Sequence, residues 1–266
     1  MSKTNTKRKL KNNNDNHEKN LNKIKVPKFS QDYDDMETKD NSITVKNISI
    51  YFRNQMDTLS DLILKADAVV GCVAWLTSEK ILSSLQKLKY GCSIVVNKED
   101  FLRPDGVNSN HKVLNMYEQL EPFTWNNSFS TVHTNNNFLF RLCTDKSNPN
   151  SENRDYNENN EPIRCCGNHN NSSNLTCSRM HNKFLVFGKI SYESALAPES
   201  NFKPYAVWTG SLNLSYNSEN SLENGVYIKD PKVAQAYVNE WAQILAISEP
   251  LDWTNEWCAP EYRMGS

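Results

Sequence analysis

The chain has 266 residues, of which 38% are apolar and 23% charged, with a formal net charge of −1. That is enough apolar content for one core of generous size, and the charge balance excludes both a uniformly basic polyanion binder and a uniformly acidic chain. No run approaches the eighteen apolar residues of a membrane span, and no apolar stretch follows the charged N-terminus, so neither a transmembrane segment nor a secretion signal is expected.

Charge is unevenly laid out along the chain. Residues 1–30 hold nine Lys or Arg against Asp15 and Glu18, whereas 31–40 hold five acids and Lys39. With few apolar residues and no period, 1–40 reads as a disordered arm whose basic part suits a phosphate backbone. A single domain is expected over 41–250, with a long loop at 144–180, and an aromatic-rich tail over 251–266. Within the domain, 43–52 alternates as a strand, and Leu59, Leu62, Ile63 and Ala66 recur at helical spacing before a short β-branched run at 68–75. Thr77 reads as the cap of a helix carrying Ile81, Leu82, Leu85 and Leu88, Gly91 as its stop, and 92–96 as a second buried strand. A helix at 113–120 and strands at 138–142, 183–187, 205–209 and 225–228 follow, with 190–204 as an inserted loop and a last helix from Pro231 through Leu245. Strand, helix and strand in that order predict a crossover unit. The expected class is α/β: a mixed, largely parallel β-sheet flanked by helices.

Seven cysteines are an odd number, and Cys72 and Cys92 lie in apolar runs, which favours reduced thiols and a cytoplasmic chain. Cys165, Cys166, His169 and Cys177 combine metal-ligand types within thirteen residues. Adjacent cysteines reach one tetrahedral ion poorly, so ordinary loop cysteines are the expected reading over zinc, and no cofactor is expected.

Five histidines (His17, His111, His133, His169 and His181) are the scarce chemical resource, and His181 stands apart. It precedes an apolar strand, and the period of two puts His181 and Lys183 on one face. Gly210-Ser211-Leu212-Asn213 follows another apolar run, so Ser211 and Asn213 also share a face. Two neighbouring strands would then aim an imidazole, an ammonium, a hydroxyl and an amide at one place. Gly210 permits close backbone approach, and these donors suit a tetrahedral phosphoryl group. Glu223, within Ser221-Leu222-Glu223-Asn224, is placed to take a ring proton of His181 and fix its tautomer. Arg179, two residues before His181 on the same alternation, is the leading substrate-contact arginine, with Arg103 and Arg164 behind it.

Taken together, Met180-His181-Asn182-Lys183-Phe184, Thr209-Gly210-Ser211-Leu212-Asn213 and Leu222-Glu223-Asn224 resemble the phospholipase D superfamily, in its single-motif, nuclease-like branch. The resemblance covers about 43–247. It implies a phospholipase D-like α/β/α sandwich and metal-independent phosphodiester hydrolysis through a phosphohistidine on His181. Lys183, Asn213 and Ser211 would hold phosphoryl oxygens and Glu223 would orient His181. A second histidine must protonate the leaving oxygen. The family pattern implies a homodimer that brings a second His181 across a two-fold axis. One departure stands out: the family's aspartate, five residues after the lysine, is Gly188 here. DNA or RNA is the expected substrate and partner. A lipid phosphodiester, with the membrane-surface contact it implies, an inactive interaction scaffold and a zinc-stabilised nucleic-acid binder are the alternatives.

Overall fold

A computed structural model describes residues 19–25, 38–106, 109–123, 130–133, 139–142, 161–169, 177–192 and 200–260, with backbone alone at 130–133, 139–142, 192 and 200–201. The strands are β1 (Ile43–Val45), β2 (Ile48–Tyr51), β3 (Ala68–Val73), β4 (Cys92–Asn97), β5 (Ser130–His133), β6 (Leu139–Leu142), β7 (Ile163–Cys166), β8 (Lys183–Tyr192), β9 (Ser200–Gly210) and β10 (Gly225–Ile228). The helices are α1 (Gln55–Ile63), α2 (Glu79–Leu85), α3 (His111–Glu118) and α4 (Pro231–Ala246).

The strands form one mixed sheet in the order β1-β2-β10-β9-β8-β3-β4-β7, with β5 and β6 branching from β9. The expected crossover is present: β3 and β4 run parallel with α2 between them, and β4 pairs parallel with β7. Every other ladder on the main path is antiparallel, so the sheet is mixed, as expected, but not largely parallel. β3 and β4 are buried along their whole length, as apolar strands covered on both faces must be.

Side-chain alternation divides the core into two layers. Val69, Val73, Ile94, Val96, Leu185 and Trp208 face α1, α2 and α3, meeting Leu59, Ile63, Ile81, Leu82 and Leu114. Val70, Cys72, Val95, Phe184, Val186 and Val207 face α4, meeting Ala234, Val238, Trp241 and Leu245. The architecture is therefore an α/β/α sandwich. Asp230 caps α4, its carboxylate accepting from the N–H groups of Lys232 and Val233 at 2.9 and 3.0 Å, with Pro231 following in the first turn.

Several boundaries differ from expectation. The stretch 43–52 is a hairpin, β1 and β2, turning at Lys46 with a positive φ of 54°. Ser78 rather than Thr77 occupies the cap position of α2. β7 lies inside the stretch read as the 144–180 loop, where four residues between polar tracts gave too short a signal. All of the described part of 190–204, residues 190–192 and 200–204, is strand, continuing β8 and β9 past a bulge at Phe187/Gly188. The described part of the expected tail is tied to the domain by backbone contacts and one buried aromatic, while residues 254–257 stay exposed. Cys165 and Glu249 exchange backbone hydrogen bonds at 2.8 and 2.7 Å, Trp253 is buried, and the buried Lys98 ammonium pairs with Glu249 while donating to the carbonyls of Asn255 and Trp257. Of the arm, residues 19–25 and 38–40 are described; the Asn22 amide donates to the Ser221 carbonyl at 3.0 Å. The rest of 1–40, with His17, lies outside the described residues, as do Cys143 and most of 144–180.

Candidate active site

The site forms where β3, β4 and β9 end and β8 begins. Ala74 N–H donates to the Asn182 carbonyl at 2.9 Å, pinning the start of β8 to the end of β3. Beyond β9, residue Leu214 pairs with Leu76, its N–H donating to the Trp75 carbonyl at 3.0 Å, so the segment carrying Ser211 and Asn213 runs beside Trp75. Gly210 is required by contact: a Cβ there would lie 2.1 Å from the Asn224 carbonyl oxygen. That closeness brings Glu223 next to Ser211.

His181 and Lys183 meet as their alternation predicts. Lys183 Nζ lies 3.1 Å from Nδ1 and 3.3 Å from Nε2 of His181, and donates to the His181 carbonyl at 2.9 Å. An ammonium only donates, so the nitrogen it meets must offer a lone pair. The geometry thus favours the neutral ring. Partial burial, reinforced by the Lys183 and Arg179 charges, holds the His181 pKa below its ordinary value. Burial also lowers the Lys183 pKa, opposed by the Glu223 carboxylate.

Ser211 Oγ donates to Glu223 Oε2 at 2.5 Å and accepts the Asn224 N–H at 3.0 Å. This corrects one expectation: among the described contacts Glu223 holds Ser211, not a ring nitrogen of His181, whose nitrogens face Lys183. The Gln55 side chain fixes this turn by donating to the Glu223 carbonyl at 2.8 Å. Asn213 is half-buried, and its Oδ1 is buried without a hydrogen-bond partner among the described residues.

Of the three candidate arginines, only Arg179 stands at the site. Its side chain is 53% exposed, its charge acts on His181, and its guanidinium lies 3.7 Å from Glu99 Oε1. Arg164 is a correction. It is buried, donating to Ser248 Oγ at 2.9 Å and the Ser248 carbonyl at 3.2 Å, with Glu161 at 3.3 Å, and so ties β7 to the segment after α4. Arg103 is engaged by Asp105 at 3.1 and 2.8 Å and stacks 4.7 Å from the Trp253 ring.

The zinc quartet does not converge. Cys165 packs in the layer facing α1–α3 and Cys166 in the layer facing α4, because adjacent strand residues point to opposite faces. Burial pushes the Cys166 thiol up to about 12, and His169 pairs with Asp100 at 3.3 Å. Cys177 is half-buried. Among the described residues no three His, Cys, Asp or Glu side chains group as metal ligands.

Gly188 sits against Phe202; a Cβ there would fall 1.9 Å from the ring, so the aromatic fills the space that an aspartate at this position would need. Nearby, Asp67 braces the bulge, with its carboxylate 2.8 Å from Lys189 Nζ and 3.1 Å from Ile190 N.

Three residues at the site were not read from the sequence. Trp75 is half-buried and meets His181 edge-on at 6.2 Å. Asn97 and Glu99 end β4 and follow it, and their position at the carboxyl end of a parallel strand is the signal that could have found them.

No family model matches the chain. It is 37% identical over 240 residues to uncharacterized protein L381 of Acanthamoeba polyphaga mimivirus, an overlap of 88% of this chain and 74% of that protein. Among solved structures, NucT from Helicobacter pylori aligns over 76% of this chain and 96% of its own, at 11% identity and a TM-score of 0.45. Nuc from Salmonella typhimurium, described as a phospholipase D family member, aligns over 76% and 95%, at 14% identity and a TM-score of 0.41.

Proposed function

The chain belongs to the same family as the mimivirus protein L381, and from that premise and the site's geometry we propose that it is a phosphodiesterase of the phospholipase D superfamily acting as a nuclease on DNA or RNA. The observation that carries this reading is the His181–Lys183 pair at 3.1 Å, beside the Ser211–Glu223 turn and the Asn213 segment. A neutral imidazole held against an ammonium, at the open end of a rigid sheet, suits nucleophilic attack on a phosphorus whose oxygens need positive charge.

In this mechanism one nitrogen of His181 attacks phosphorus and the bond to the leaving oxygen breaks, giving a phosphohistidine that water then hydrolyses. Lys183, Arg179 and the Asn213 amide hold the non-bridging oxygens. Ser211, set by Glu223, adds a neutral group. The leaving oxygen takes its proton from a second His181, in its imidazolium form, across the axis of a homodimer, so that one composite site serves two chains with their histidines in opposite protonation states. The chemistry draws on side chains alone and proceeds without metal. A cytoplasmic location suits its free thiols.

A second reading, an inactive scaffold, draws on one observation: Phe202 fills the space that an aspartate at position 188 would need. Incubating the wild-type protein in excess chelator with labelled single- and double-stranded DNA, RNA and a phospholipid separates the readings. Cleavage of a nucleic acid supports the nuclease. Cleavage of lipid alone redirects the substrate class, and a folded chain that cleaves nothing supports the scaffold.

A further inference from the structure

One carboxylate next to the site gathers more contacts than a surface acid needs. Glu99 Oε1 accepts from Trp75 Nε1 at 2.9 Å and from Asn97 Nδ2 at 2.8 Å, and lies 3.7 Å from Arg179 NH1. Its side chain is only 18% exposed. Each partner leads to His181 by a separate route. Trp75 meets the imidazole edge-on, with centroids 6.2 Å apart and planes at 89°. Asn97, anchored through its Nδ2, uses its Oδ1 to accept the N–H of Met180 at 3.1 Å, the residue just before His181. Arg179 stands two residues before His181 and adds to the positive field on it.

We propose that Glu99 is a positioning residue for His181, binding the Trp75 wall, the strand entrance and the Arg179 guanidinium to one oxygen and so setting the orientation and charge environment of the imidazole. The proposal rests on reading His181 as the reacting group. The charges that act directly on that ring are Lys183 on β8 and Arg179 ahead of it; Glu223 reaches it through Lys183, and Glu99, just past the end of β4, through Arg179. Glu99 is the counter-charge to Arg179. An ordinary exposed ion pair at 3.7 Å would contribute little. Here the same oxygen also accepts two neutral donors in a partly buried place, so removing it disturbs position and charge together.

Glu99→Gln separates the two. The amide oxygen still accepts from Trp75 and Asn97, but the negative charge balancing Arg179 is gone. The His181 pKa then falls below its wild-type value, read by NMR titration of the ring C–H resonance assigned by its loss in His181→Ala. Glu79→Gln, on the exposed face of α2 where Glu79 pairs with Lys112, leaves that titration unchanged. Glu99→Asp keeps the charge but falls one methylene short of Trp75 and Asn97. Its His181 titrates near wild type while kcat drops with little change in KM. A His181 titration unaltered in folded Glu99→Gln overturns the proposal, as does wild-type kcat in Glu99→Asp. The titration needs no substrate, so it stands or falls separately from the nuclease reading.

Discussion

Lys183 Nζ sits between the two ring nitrogens of His181, 3.1 Å from one and 3.3 Å from the other. The same cation that suits a phosphoryl oxygen therefore also depresses the histidine's pKa. Lys183→Ala removes both effects. The rate is expected to fall by a factor on the order of 10² to 10³, the loss usual for one charge-stabilising donor. The acid limb of the kcat/KM profile moves to higher pH, since the His181 pKa is freed from a neighbouring positive charge. A limb that stays in place would show that His181 does not titrate in that limb.

Ser211 and Glu223 act as one unit, joined at 2.5 Å, with Ser211 also accepting the Asn224 N–H. Ser211→Ala and Glu223→Gln should each lower kcat, and the double variant should lose less than the product of the two. A coupling of about 0.5–3 kcal/mol is ordinary for groups in direct contact. Strict additivity in single-turnover assays would separate their roles.

Gly188 does not accommodate an aspartate. With the Phe202 ring 1.9 Å from the place of a Cβ, Gly188→Asp overpacks the sheet. It should destabilise the chain by about 1–3 kcal/mol and raise no activity. The midpoint of urea unfolding reads the first, and a steady-state assay the second.

The arm makes a separate prediction. Its described segment 19–25, which carries Lys19, Lys23 and Lys25, is attached next to the third motif, where Asn22 donates to the Ser221 carbonyl, two residues before Glu223. Deleting 1–40 should weaken nucleic-acid binding at low salt and flatten the dependence of log K on log salt. Equal slopes for both forms would assign the arm no part in binding.

Much of the site was legible because its residues obey short periods. The meeting of His181 with Lys183 was readable from their spacing of two, and the buried runs at 68–75 and 92–96 announced the strands whose ends carry the site, whereas Ser211 and Asn213 lie beyond the end of β9, where strand alternation no longer applies. What stayed hidden depends on contacts distant in sequence. Glu99 reads as an unremarkable acid until Trp75, Asn97 and Arg179 meet it across 24, 2 and 80 positions. Arg164 looked available because charge suggests exposure, yet Ser248, 84 residues away, supplies its burial partner. β7 escaped because four residues between polar tracts carry no period. Glu223 was assigned to His181 by residue type, whereas chain geometry at Gly210 delivers it to Ser211.

The central claim is that His181 forms the covalent intermediate. The most direct measurement is acid- and base-quenched mass spectrometry of the protein during turnover of whichever diester it cleaves, in excess chelator, with His181→Ala alongside. The predicted result is a phosphoryl adduct on the His181 peptide, lost in acid and kept in base, absent from a folded but inactive His181→Ala. Undiminished turnover by His181→Ala, or an adduct on another residue, would contradict it.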